Sequence, residues 1–285
     1  MTRVKSLKQI KTVVIIGLGL MGGSLAAVLR KKMPKARIIG VSRSRTALKT
    51  ALRYGWIHEG TTDLKEGVRQ ADLIVLCTPV QTYEGLLKSL CLFAPQGVLV
   101  TDVGSVKEKI LSRLPKNLNK TLSYVSAHPM AGSHARGIES VNPKLYDSGF
   151  AFIIQDGKAS KQAYACIKAF WALVMPRIVE ISAKEHDRVT AEISHMPHAL
   201  AACLMQAVDS ASLSYAASGF RDMTRLAAGS ADIWQPIFEA NRERTHQSLT
   251  RVIQHIRRFQ TLLKSKSNKN LRLFLQTAEN KRTQI

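Results

Sequence analysis

Over the first 180 or so residues the hydrophobic positions fall in short uninterrupted runs, and beyond them they follow a helical period. Val13, Val14, Ile15 and Ile16 lead straight into Gly17, Gly19 and Gly22, and an apolar helical pattern follows over 24–29. That spacing predicts strand, tight turn and helix. The same alternation continues with strands over 36–42, 71–77 and 98–102, and a short one over 124–127. Helices are predicted over 46–54, 63–70 and 83–92. The run ADLIVLC at 71–77 is continuously apolar, as in a parallel strand covered on both faces. Strands over 150–155 and 178–181 flank a helix over 161–173. After 182 no strand-like run remains, and helices are predicted over 193–208, 238–263 and around 271–279. The expected fold is α/β: a doubly wound parallel sheet in a domain over 1–182, followed by an all-helical domain over 183–285.

Composition narrows the function classes. A chain of 285 residues at 45% apolar content can bury a sizeable core. No apolar run approaches the roughly 20 residues of a membrane span, and the basic first 11 residues lack the apolar segment of a secretory signal, so the expectation is cytoplasmic with no membrane partner. Cys77, Cys91, Cys166 and Cys203 show no C-x-x-C pairing and are expected to be buried thiols. With 42 Lys and Arg against 20 Asp and Glu, the net charge is +22. The basic residues are spread along the chain without an aromatic stacking motif, which argues against a nucleic-acid surface. A general basic surface, or steering of an anionic small molecule and a phosphate-rich cofactor, explains them better.

The glycine run gives the cofactor. Gly17 permits the turn, Gly19 lets the backbone approach a pyrophosphate, and Gly22 lets helix and strand pack closely, with Leu20 and Met21 opening the helix. This is a Rossmann-type loop in its proper place. An acidic residue roughly 20 positions past the glycines normally holds the ribose 2′-hydroxyl of NAD. That position is Ser42, followed by Arg43 and Arg45. A hydroxyl with guanidinium groups suits a 2′-phosphate, so NADP is favoured over NAD, although the arginines also fit a merely basic surface. Three polar turns then converge on the C-terminal edge of the sheet: Thr78-Pro79, Ser105, and His128 with Ser133. Ser105 alone fits a helix cap and His128 alone a structural histidine, but together they form a proton-handling pair. In the helical half, His195 and His198 share a face, and without a third ligand no metal site is expected.

The segments GLGLMGGSLA, CTPV, TDVGSVK, HPMAGS, EHD, SHMPHAL and SGFRDMTR, in that order, resemble the prephenate and arogenate dehydrogenases of tyrosine biosynthesis. The resemblance implies an all-helical dimerisation domain, a homodimer and an active site between the domains. It implies oxidative decarboxylation of a cyclohexadienol, with hydride passing to the nicotinamide. His128 would then partner the substrate's 4-hydroxyl, Ser105 would position both, and Arg225 would clamp the side-chain carboxylate with Asp222 orienting it. Ser133, His134, His195, His198 and Trp234 would complete the substrate pocket. His134 stands where some prephenate-using members carry glutamate, and His198 also points to prephenate over arogenate, whereas the second-strand turn resembles NADP users, several of which take arogenate. The short basic tail leaves no room for a regulatory domain, so tyrosine inhibition would act at the active site. Two other readings are a hydroxyacid or imine-reducing dehydrogenase using Lys184 or Lys168, and a non-enzymatic NADP- or nucleic-acid-binding protein.

Overall fold

The structure, a computed structural model, describes residues 5–116, 118–132, 135–265 and 267–284. Ser133 and His134, expected in the substrate pocket, lie outside the described residues. Six strands, β1 (Thr12–Ile16), β2 (Arg37–Val41), β3 (Glu59–Thr61), β4 (Leu73–Leu76), β5 (Val98–Asp102) and β6 (Leu122–Tyr124), form one parallel sheet in the order β3-β2-β1-β4-β5-β6. The order reverses between β1 and β4, which opens a crevice at their C-terminal ends. All residues of β1, β4 and β5 are buried, as their unbroken apolar runs require of strands covered on both faces. The helices Leu20–Lys32 and Lys161–Val174 cover one face with Leu25, Leu29, Phe170 and Trp171. Tyr83–Phe93 and Glu108–Ser112 cover the other with Leu87, Leu90 and Ile110.

Two features depart from the sequence pattern. β3 carries no apolar alternation and is held by backbone pairing with β2, so periodicity does not reveal it. The stretch over 124–127, expected as one strand, divides between two sheets. β6 ends the parallel sheet at Tyr124, and β7 (Ala127–Pro129) pairs antiparallel with β8 (Ala151–Ile154), which pairs parallel with β9 (Ile178–Ile181). The buried Asp102 carboxylate makes this corner: its Oδ1 accepts from Tyr124 Oη, Ser126 Oγ and the Ala127 amide at 3.0, 2.7 and 3.0 Å. His128 therefore sits inside a strand, opposite Phe152, rather than in a turn beyond the sheet.

From Ala183 on, the described chain is helical. Ser182 caps the first helix, Ala183–Thr190, by accepting from the Glu185 amide at 3.2 Å. The helix expected over 193–208 is a π-helical turn, Ala191–His195, followed by Met196–Ala207. That expected over 238–263 breaks at Asn241 into Ala231–Ala240 and Arg242–Lys264. Apolar spacing continues through both junctions and hides them. Asn268–Arg282 closes the chain. The four cysteines are free; Cys166 is buried as expected, Cys77 and Cys91 are partly buried, and Cys203 is exposed. No helix of the described residues is long and apolar enough to cross a membrane.

Candidate active site

The crevice between β1 and β4 is shaped by backbone contact. Gly17 has φ +99°, and a Cβ there would come within 2.7 Å of the Cys77 carbonyl oxygen. A Cβ at Gly22 would lie 1.9 Å from the Gly17 carbonyl oxygen, so the helix cannot approach the strand with any other residue. At Gly19, the N-cap of Leu20–Lys32, a Cβ would meet nothing within 4 Å. That leaves an open cradle before the first-turn amides of a 13-residue helix, the arrangement that receives a pyrophosphate. The residues present thus fit a dinucleotide. At the end of β2, Ser42 Oγ accepts from the Ser44 amide at 3.2 Å and Ser44 caps the Arg45–Arg53 helix, with Arg43 and Arg45 exposed beside them.

A cleft of about 340 Å³ continues from this cradle, lined by Gly19, Leu20, Met21, Thr78, Pro79, Ser105 and His128, with Ile233 and Ile237 of the helical half opposite. Ser105 and His128 both line it. Behind them runs a chain of hydrogen bonds that the sequence did not suggest. His128 Nδ1 and His186 Nε2 are 2.9 Å apart, and His186 Nδ1 and Asp187 Oδ1 are 2.7 Å apart. The Asp187 carboxylate also accepts the amides of Lys107 at 2.8 Å and Glu108 at 2.9 Å, just past Ser105. Lys107 is fully buried, its Nζ 2.7 Å from Asp102 Oδ2 and 2.6 Å from the Ala127 carbonyl oxygen. The Ala183–Thr190 helix must bury one face, and with few apolar residues to offer it buries His186, Asp187 and Thr190. A reader of the EHD segment looking for that inward face would have found the pair.

Electrostatics keep these imidazoles neutral. Burial, reinforced by the neighbouring His186 and the charge of Lys107, holds His128 well below the ordinary histidine value. Burial pushes His186 down to about 2, with Lys107 adding to it. Burial also pushes His195 down to about 4, against the pull of the Asp187 carboxylate. These groups stay unprotonated in the folded protein at a pH where the unfolded chain takes up protons. Their contribution to stability is therefore complete above about pH 6.5 and is lost as pH falls below it. Chemical denaturation should show unfolding free energy dropping between pH 6.5 and 5 by about 1.4 kcal/mol per pH unit for each such imidazole. A flat profile would mean that the imidazoles are protonated in place.

The helical half supplies the remaining candidates. His195 is fully buried; its Nδ1 lies 3.1 Å from Asn241 Nδ2, which also donates to the Asp187 carbonyl oxygen at 2.7 Å, and its Nε2 has no partner among the described residues. The break at Asn241 is thus what ties His195 to the His186–Asp187 helix. His198 stacks on Trp234 at 3.6 Å between ring centroids, and its Nδ1 also lacks a partner among the described residues. His195 lies edge-on to the same indole at 6.1 Å. His198 and Trp234 line a separate, largely apolar groove of about 620 Å³ rather than the His128 cleft. Asp222 and Arg225 were expected to act together on the substrate's side-chain carboxylate. The helix ends at Thr224, Arg225 begins a tight turn, and both side chains are exposed outside the lining of the His128 cleft.

A parallel sheet with a glycine turn at its point of reversal, facing a hydroxyl and a neutral imidazole, defines a dinucleotide-dependent oxidoreductase with a helical C-terminal domain. Residues 25–180 match the prephenate dehydrogenase nucleotide-binding domain and residues 182–277 the prephenate dehydrogenase dimerization domain. The chain belongs to the prephenate dehydrogenase family. It is 33% identical over 281 residues to the prephenate dehydrogenase of Bacillus subtilis, covering 95% of this chain and 75% of that protein. The crystal structure of prephenate dehydrogenase from Aquifex aeolicus with hydroxyphenyl propionate and NAD+ superposes with a TM-score of 0.89 at 28% identity, over 97% of this chain and 98% of that one. Synechocystis arogenate dehydrogenase gives 0.80 at 28% identity, over 96% and 99%. The chain is an oxidoreductase that uses a nicotinamide dinucleotide.

Proposed function

We propose that this protein oxidises and decarboxylates prephenate to 4-hydroxyphenylpyruvate with NADP as the preferred cofactor. The observation that carries this is that Ser105 and His128 line the same cleft, which runs from the Gly19 cradle. Gly17, Gly19 and Gly22 with Leu20 and Met21 would hold the pyrophosphate, Thr78 and Pro79 would border the nicotinamide end, and Ser42, Arg43 and Arg45 would take the 2′-phosphate. When bound, the nicotinamide accepts the hydride from the carbinol carbon. His128 accepts a hydrogen bond from the 4-hydroxyl and polarises its O–H bond, and Ser105 aligns that hydroxyl. As the C1 carboxylate leaves as carbon dioxide, its electron pair completes the aromatic ring, and the proton remains on the phenolic oxygen. Aromatisation drives the reaction, so the protein needs chiefly to align the groups and balance a dianion.

His198, in the SHMPH segment whose second histidine resembles the prephenate-using members, supports a ketoacid side chain over an ammonium, and it stacks on Trp234. Arg225, placed by the FRDMTR resemblance, is the clamp for that side chain's carboxylate, with Asp222 orienting it. Replacing Arg225 with alanine should raise KM for prephenate at least about tenfold with nucleotide affinity unchanged; an unaltered KM removes Arg225 from the site. The exposed Ile253, Ile256, Leu273 and Leu275 on the last two helices support pairing with a second copy, and the chain is assigned to the cytoplasm. One carbon dioxide and one reduced nicotinamide released per prephenate consumed tests the reaction itself. Arogenate as the better substrate is the second reading, favoured by the Ser42-Arg43 turn.

A further inference from the structure

His128 has two ring nitrogens, and a neutral imidazole accepts a hydrogen bond at only one of them. Which one is available depends on where the proton sits, and the buried chain behind the ring decides that. Asp187 receives donors only: the amide of Lys107 and His186 Nδ1 on Oδ1, and the amide of Glu108 on Oδ2. A carboxylate ringed by donors is an acceptor, so the proton of His186 lies on Nδ1 and its Nε2 carries a lone pair. That lone pair lies 2.9 Å from His128 Nδ1 and can only accept from it. His128 then carries its proton on Nδ1, and its Nε2 is left with the lone pair. The three side chains are nine-tenths or more buried, and Phe152 packs edge-on to the His186 ring at 5.1 Å, so water does not offer His186 a competing partner.

We propose that His186 and Asp187 are positioning residues that hold His128 as its Nδ1–H tautomer, with Nε2 the acceptor for the substrate hydroxyl. The same carboxylate, through the Lys107 and Glu108 amides, fixes the loop that carries Ser105, so one residue of the helical half sets both groups that meet the hydroxyl. This rests on the reading of His128 as the partner of that hydroxyl.

Two measurements test it. In protein labelled with ¹⁵N-histidine and free of substrate, with the His128 signals assigned by their loss in His128→Asn, Nδ1 should be the protonated nitrogen and Nε2 the bare one. A proton on Nε2 overturns the proposal, and this readout needs no variant at 186. In turnover with prephenate, His186→Leu should lower kcat by about tenfold or more, the effect of releasing a histidine from its tautomer, with nucleotide KM unchanged. His186→Gln, whose amide oxygen reaches the place of Nε2, should restore kcat to within about threefold of wild type. A Leu variant within threefold of wild type, or a Gln variant as slow as the Leu variant, overturns it. Wild-type protein without turnover on prephenate or arogenate, yet with the Nδ1–H signal, defeats the functional reading and leaves the tautomer assignment standing.

Discussion

Replacing His128 with asparagine should lower kcat by about 10²-fold or more, the scale of a lost acid–base group, without altering nucleotide affinity. The asparagine side-chain nitrogen takes the place of Nδ1, so the hydrogen bond toward His186, 2.9 Å in the wild type, has a donor to replace it. What disappears is the far ring nitrogen and with it the acceptor for the hydroxyl. Steady-state kinetics with saturating cofactor read this directly. A variant within threefold of wild-type kcat would remove His128 from the chemistry.

The place of Ser105 was legible in the sequence because it follows a recognisable strand, and a doubly wound sheet delivers such ends to one edge, whereas His128 stands inside β7 of the second sheet, opposite Phe152. Gly17 and Gly22 were legible for a similar reason, since their backbone contacts leave no room for a side chain. His186, Asp187 and Asn241 were not. Their partners lie 58, 80 and 54 residues away, and no local period reports a contact over that distance. Lys107, one of the basic residues spread along the chain, is fully buried, and nothing in its local sequence announces that Asp102 waits beside it. The two helix breaks escaped for the converse reason: the apolar spacing is kept while the backbone changes course to deliver His195 and Asn241 inward.

The second large effect falls on stability. Asp102 accepts from five donors: the amides of Gly104 and Ala127, Tyr124 Oη, Ser126 Oγ and Lys107 Nζ, at 2.9, 3.0, 3.0, 2.7 and 2.7 Å. Neither it nor Lys107 has any exposure. Asp102→Ala would leave the buried ammonium with the Ala127 carbonyl as its hydrogen-bond acceptor among the described residues, and removing one partner of a buried pair costs about 3–5 kcal/mol. Lys107→Met should cost less, because the carboxylate keeps four donors and the thioether chain fills the space. Urea unfolding at neutral pH measures both. The order Asp102→Ala below Lys107→Met below wild type is expected, and a loss under about 1 kcal/mol for Asp102→Ala would show that the pair does not hold the corner where β6 hands the chain to β7.

The central claim is a hydride-transferring decarboxylation of a cyclohexadienol, and one assay reaches it most directly. Purified protein is offered prephenate or arogenate, each with NAD or NADP, and the absorbance of the reduced nicotinamide is followed. The highest kcat/KM is expected with prephenate and NADP, and a lower but real rate with NAD. No reduced nicotinamide from either substrate with either cofactor would contradict the account.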